Sequence, residues 1–149
     1  VNELGLKVIT DRLLGYSSKN ELLINSIGKE IASVVLNKNA GDAGRSLGEA
    51  QAERIELRLT DGSSFALRDD GQSCCEARYI TCDDDLSELA GAKLTSIELR
   101  SAPSLNDDED EPHDCQFLAI MTDRGEAVFT THVEHNGYYG GFSIIVEDL

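Results

Sequence analysis

Residues 54–68 fix the kind of fold open to this chain. Along 54–60 the side chains alternate: Ile55, Leu57 and Leu59 fall on one side, and Arg54, Glu56 and Arg58 on the other, facing solvent. A period of two puts successive residues on opposite faces of a strand, so this run reads as a half-buried β-strand. Asp61-Gly62 follows, a strong hairpin signal because glycine tolerates a positive φ. Residues 64–68 then return as the partner strand, with Phe65 and Leu67 inward.

The same period recurs downstream. Residues 31–36 are short and β-branched, residues 77–81 extended, and residues 94–100 alternate cleanly. Residues 115–122 are nearly all apolar, as expected of a strand covered on both faces. Asp123-Arg124-Gly125 turns the chain into a strand over 126–135, with Phe129, Thr131 and Val133 on one face and Val128, Thr130, His132 and Glu134 on the other. Residues 142–147 close the sheet. Strands adjacent in sequence usually pair, which predicts a mostly antiparallel sheet.

Helical signals are fewer. Leu6, Ile9, Leu13 and Tyr16 form one apolar stripe at three- to four-residue spacing, and residues 20–24 suit a further short turn. A short helix is expected at about 84–91. Asp85 caps it with Glu88 completing a capping box, Leu86 and Leu89 are its buried side, and Gly91 is its left-handed stop. That capping role also accounts for the three successive aspartates Asp83, Asp84 and Asp85 without a metal. The fold expected is α+β: a single domain with a mostly antiparallel sheet, divided into an N-terminal helical segment (1–27) packed on an α+β domain (28–149). Residues 37–52, rich in Gly and Ala, read as an exposed loop or a partly helical insertion, and the acidic stretch 106–111 as a loop. The glycines are followed by no Gly-Lys-Ser/Thr, which excludes a phosphate loop.

Composition narrows the function. The formal net charge is −15, which repels phosphates and anionic lipid, so neither direct nucleic-acid binding nor membrane binding is expected. The charge reads first as solubility through surface carboxylates, and the sharper reading is an acidic face for a basic protein partner, with Asp107, Asp108 and Asp110 on the acidic loop as its contacts. Aromatic residues make up 5% of the chain, so an aliphatic core is expected. No apolar run approaches a membrane span. The first residues carry no basic stretch leading into an apolar one. The four cysteines include the neighbours Cys74 and Cys75, which cannot easily pair with each other. We read the thiols as reduced and the location as cytoplasmic.

Chemistry concentrates in two stretches. Cys74-Cys75-Glu76 follows the hairpin, and His132-Val133-Glu134-His135-Asn136-Gly137-Tyr138-Tyr139 precedes the last strand. No catalytic residue is assigned; the candidates are Cys75 as nucleophile, His132 as base and Glu76 as orienting carboxylate. The abundance of carboxylates opposes thiolate formation. Nor is a metal site or any cofactor assigned. The candidate ligands are His113, Cys115, His132 and His135, with His113-Asp114-Cys115 and His132-x-x-His135 the best fragments, set against the absence of any Cys-x-x-Cys. On a strand His132 and His135 face opposite ways, so both reach one ion only where the chain turns. His135, Asn136, Tyr138 and Tyr139 are the candidate binding residues, because tyrosines beside glycines offer large contact area on an adaptable loop.

The order of these motifs resembles a family of small domains of unknown function in phage and bacterial proteins. The resemblance runs over roughly residues 28–148 and rests on Asp61-Gly62, Cys74-Cys75-Glu76, Asp85, Leu86, Leu89 and Gly91, and Asn136-Gly137-Tyr138-Tyr139. Ser73, where the family pattern is acidic, and the length of 37–52 depart from it. The resemblance implies a compact α+β domain in a phage or mobile-element setting and supplies no activity. The leading expectation is a non-enzymatic binding or accessory module contacting a protein partner. The alternatives are a cysteine- or zinc-dependent enzyme using Cys75 with His132 and His135, and a structural homo-oligomer built through exposed sheet edges.

Overall fold

The structure, a computed structural model, describes residues 19–38, 53–69, 77–101, 113–134, 142 and 144–149. The element order is α1 (Asn20–Ser26), β1 (Ile31–Asn37), β2 (Arg54–Leu59), β3 (Ser64–Asp69), β4 (Ala77–Cys82), a single 3-10 turn (Leu86–Leu89), β5 (Leu94–Ser101), β6 (His113–Thr122), β7 (Gly125–Glu134) and β8 (Ile144–Glu147). The apolar stripe of residues 6–16 lies outside the described residues.

Alternation and turn chemistry produce the hairpin where the sequence places it. β2 and β3 pair antiparallel, with Leu57 opposite Phe65 and Ile55 opposite Leu67. Gly62 takes φ 92°, and the Asp61 carboxylate accepts the Ser63 N–H at 2.9 Å. The turn between β6 and β7 is held by the Thr122 hydroxyl donating to the Gly125 carbonyl at 2.8 Å.

The strands form two antiparallel sheets of four rather than one sheet, in the orders β1-β2-β3-β8 and β4-β7-β6-β5. β8 leaves the second sheet's neighbourhood in sequence and pairs with β3 in the first, Val146 opposite Leu67. A contiguous buried cluster draws on both sheets, including Ile55, Leu57, Phe65 and Leu67 from the first and Ile97, Leu118, Ile120 and Phe129 from the second. Apart from the two phenylalanines it is aliphatic, as the scarcity of aromatics predicts. Leu23 of α1 joins it fully buried, while the Lys19 N–H donates to the Val146 carbonyl at 2.7 Å.

Two local expectations are corrected. The expected helix near 84–91 is one 3-10 turn, and the Asp85 side chain caps it through the Ser87 N–H at 3.0 Å. Gly91 does take the left-handed conformation, φ 87°. Glu56 lies on the outer face of β2 as alternation requires, yet it is buried rather than solvated. Arg54 and Asn37 donate to its Oε2 at 2.8 and 3.1 Å and Arg58 to its Oε1 at 3.3 Å, so basic and amide side chains roof it.

The sheets are tied outside the core as well. The Ile31 N–H donates to the Ala92 carbonyl and the Gly91 N–H to the Ile31 carbonyl, both at 2.8 Å, which joins the start of β1 to the corner before β5. Asp69 at the end of β3 meets Arg78 of β4 at 2.8 Å, both side chains less than a tenth exposed.

Candidate functional site

On the outer face of the second sheet, strand register collects a polar cluster. Tyr79 of β4 sits opposite His132 of β7, and His132 sits opposite Cys115 of β6, so the three form a row across the sheet. The period of two adds His113, two residues before Cys115, and Thr81, two after Tyr79, to the same face. The opposite face of β7 carries Ala127, Phe129 and Val133 into the interior, which fixes the strand's register against a one-residue slip.

Within the cluster the side chains touch. His113 Nε2 lies 2.9 Å from His132 Nδ1, and Cys115 Sγ lies 3.5 Å from the same nitrogen. The Tyr79 hydroxyl is 3.3 Å from His113 Nε2, and Thr81 Oγ1 is 2.9 Å from His132 Nε2. The Tyr79 ring stacks on the His132 ring at 4.5 Å between centroids and 10° between planes. Cys115 and His132 are buried and His113 half-buried.

Burial disfavours the charged forms of His132, Cys115 and Tyr79. Burial, then the neighbouring His113, holds the His132 imidazole below its ordinary value, although Glu134 pulls the other way. Burial, assisted by Asp114, pushes the Cys115 thiol up. Burial and the charge of Glu134 raise the Tyr79 phenol. A neutral thiol beside a neutral imidazole is a poor nucleophile. The Cys115 thiol with the imidazoles of His113 and His132 suits a metal ion, which takes a thiolate and neutral imidazoles by displacing the thiol proton.

One ligand atom each from His113, Cys115 and His132 lies within 4.8 Å of the others. Zinc bond lengths of about 2.05 Å to nitrogen and 2.3 Å to sulfur give tetrahedral edges of about 3.3 Å between nitrogens and about 3.6 Å between nitrogen and sulfur. The observed 2.9 and 3.5 Å lie within half an ångström of two of these edges, while the third, between His113 and Cys115, is within 4.8 Å and has to shorten for an ion to bind.

Three of the four metal-ligand candidates named from sequence therefore meet. The fourth, His135, lies outside the described residues, as do Cys74, Cys75, Glu76, Asn136, Tyr138, Tyr139, Asp107, Asp108 and Asp110. Of the Cys75, His132 and Glu76 set only His132 is described. Cys82 occupies the opposite face of β4, its thiol donating to the Val128 carbonyl at 3.4 Å. Two of the three aspartates near the 3-10 turn have structural partners: Asp84 accepts the Val128 N–H at 2.8 Å, and Asp85 caps. Tyr79 and Thr81 were not read as site residues. Alternation puts them on one face of a strand, but only the pairing of β4 with β7 sets that face beside His132.

A family model described as "Domain of unknown function (DUF7448)" matches residues 24–145. The chain belongs to the DUF7448 family. The match takes in every described strand up to Ile144 and all three donors of the cluster, so the site lies within the DUF7448 region. No curated protein and no solved structure matches the chain.

Proposed function

We propose that this DUF7448 domain is a non-enzymatic binding module that holds one borderline-soft transition-metal ion, zinc foremost, on His113, Cys115 and His132. The observation that carries the reading is the convergence of an imidazole, a thiol and a second imidazole from two paired strands within 4.8 Å. Nitrogen and thiolate donors favour zinc and its neighbours over calcium or magnesium, which take oxygen. A bound ion would replace the direct contacts between donors with coordinate bonds and release the Cys115 proton to solvent. The raised thiol and lowered imidazole weigh against Cys115 and His132 acting as a nucleophile–base pair. The reading predicts that metal-free protein takes up one equivalent of Zn²⁺ in competition with a chromophoric chelator. Cys115→Ser and His132→Ala each weaken uptake by at least about tenfold, the loss expected when one of three ligands goes. Uptake of Mg²⁺ in preference to Zn²⁺, or full uptake by both variants, would contradict it.

A further inference from the structure

We infer that Thr81 is a positioning residue that fixes His132 as an Nδ1 ligand. This inference rests on the metal-site reading and adds to it which ring nitrogen binds and what holds it there. An imidazole that binds an ion through one nitrogen keeps its proton on the other, and that proton needs an acceptor. His132 Nδ1 is the nitrogen turned toward the other donors, 2.9 Å from His113 Nε2 and 3.5 Å from Cys115 Sγ. His132 Nε2 is turned away from them and lies 2.9 Å from Thr81 Oγ1. A hydroxyl both donates and accepts, so Thr81 serves either tautomer of the ion-free ring and accepts from Nε2–H once Nδ1 is committed to an ion.

The ring has little freedom to choose otherwise. Turning it over about its own axis would bring carbon atoms to the positions of both nitrogens and lose the Thr81 bond. Tyr79, two residues before Thr81 on the same strand, stacks along the ring at 4.5 Å and 10°. β4 thus supplies both the plate beneath the imidazole and the acceptor at its far end. On this assignment His113 binds through Nε2 and His132 through Nδ1, a mixed mode that ligand identity alone does not dictate.

The test uses the full chain labelled with ¹⁵N. Long-range ¹H–¹⁵N correlation on the Zn²⁺-loaded protein identifies which nitrogen of each histidine is coordinated and which carries a proton. The expected pattern is His132 coordinated at Nδ1 and protonated at Nε2. Thr81→Val, which keeps the shape and removes the hydroxyl, weakens Zn²⁺ binding about 10- to 100-fold, while Thr81→Ser restores it to within a few-fold of the parent. Coordination through His132 Nε2, or Thr81→Val binding as tightly as the parent, overturns the inference. When Cys115→Ser still weakens binding at least about tenfold in that case, the metal site stands and only the role of Thr81 falls; no Zn²⁺ uptake by the parent chain removes both. Where Thr81→Val does not fold, Nε2 coordination of His132 in the parent still overturns the inference, and Thr81→Ala, losing about tenfold in Zn²⁺ binding against Thr81→Ser, takes its place for the role of Thr81.

Discussion

Asp69 and Arg78 join the two sheets through charges buried from water, their side chains 8% and 9% exposed. Removing one member of such a pair takes a charge-assisted contact from the other, whereas replacing both with apolar groups is close to neutral. Arg78→Met is therefore expected to destabilise the fold by about 1.5–3 kcal/mol, and Arg78→Met with Asp69→Leu to recover part of that, in urea denaturation. Glu56 carries the second residue-scale prediction. Burial raises its carboxyl, but hydrogen bonds from Arg54 and Asn37 with the charge of Arg54 outweigh it, and the net position is below the ordinary range. A carboxyl lower in the folded than in the unfolded chain adds stability that is complete above its unfolded value, about 4.3. That contribution disappears as pH falls through the lower folded value. Acid denaturation of Glu56→Gln should accordingly show a shallower loss of stability below about pH 4.3 than the parent. An equal slope in the two proteins contradicts the assignment. Sequence alternation placed Glu56 on the correct face but not its burial, because parity says nothing about long neighbouring side chains that fold across it.

At the scale of elements, β4 is an edge strand among the described residues, and the outward backbone groups of Ile80 are occupied by side chains that flank the strands of the other sheet. The Ile80 N–H donates to Glu53 Oε2 at 2.6 Å, and Lys38 Nζ donates to the Ile80 carbonyl at 2.9 Å. Occupying an edge this way denies it to a further strand and holds β4, with Tyr79 and Thr81, in its place. Glu53→Ala should raise the exchange rate of the Ile80 amide roughly tenfold, the loss of one charge-assisted hydrogen bond, with amides of β6 unchanged. Unaltered exchange at Ile80 would show that the contact does not protect it. Which elements were legible follows from the range of their interactions. The β2–β3 and β6–β7 hairpins carry local signals at Asp61-Gly62 and Asp123-Arg124-Gly125. The return of β8 to β3 joins Ile144 to Asp69 and leaves no local trace, so a single sheet was read where two exist. The Asp85 cap was readable, but a stretch that short sustains only one 3-10 turn.

For the molecule as a whole, two sheets share a largely aliphatic interior, and the outer face of the second gathers the polar cluster. That face is where sequence reading was half complete. His113 and Cys115 are two apart on one strand and must share a face, and His132 was already a candidate ligand. What brings them together is the register of β6 against β7, which sets Cys115 opposite His132 and also draws in Tyr79 and Thr81 from β4. The net charge of −15 adds a long-range attraction for cations of every kind, so affinity alone does not identify this site. A cobalt titration does, because Co²⁺ reports both geometry and thiolate bonding in its absorption spectrum. Metal-free protein titrated with Co²⁺ is expected to develop a thiolate charge-transfer band and tetrahedral ligand-field bands that saturate at one equivalent, are reversed by Zn²⁺, and lack the charge-transfer band in Cys115→Ser. A spectrum of hydrated Co²⁺ throughout, or the same bands in the parent and Cys115→Ser, would contradict a metal site on His113, Cys115 and His132.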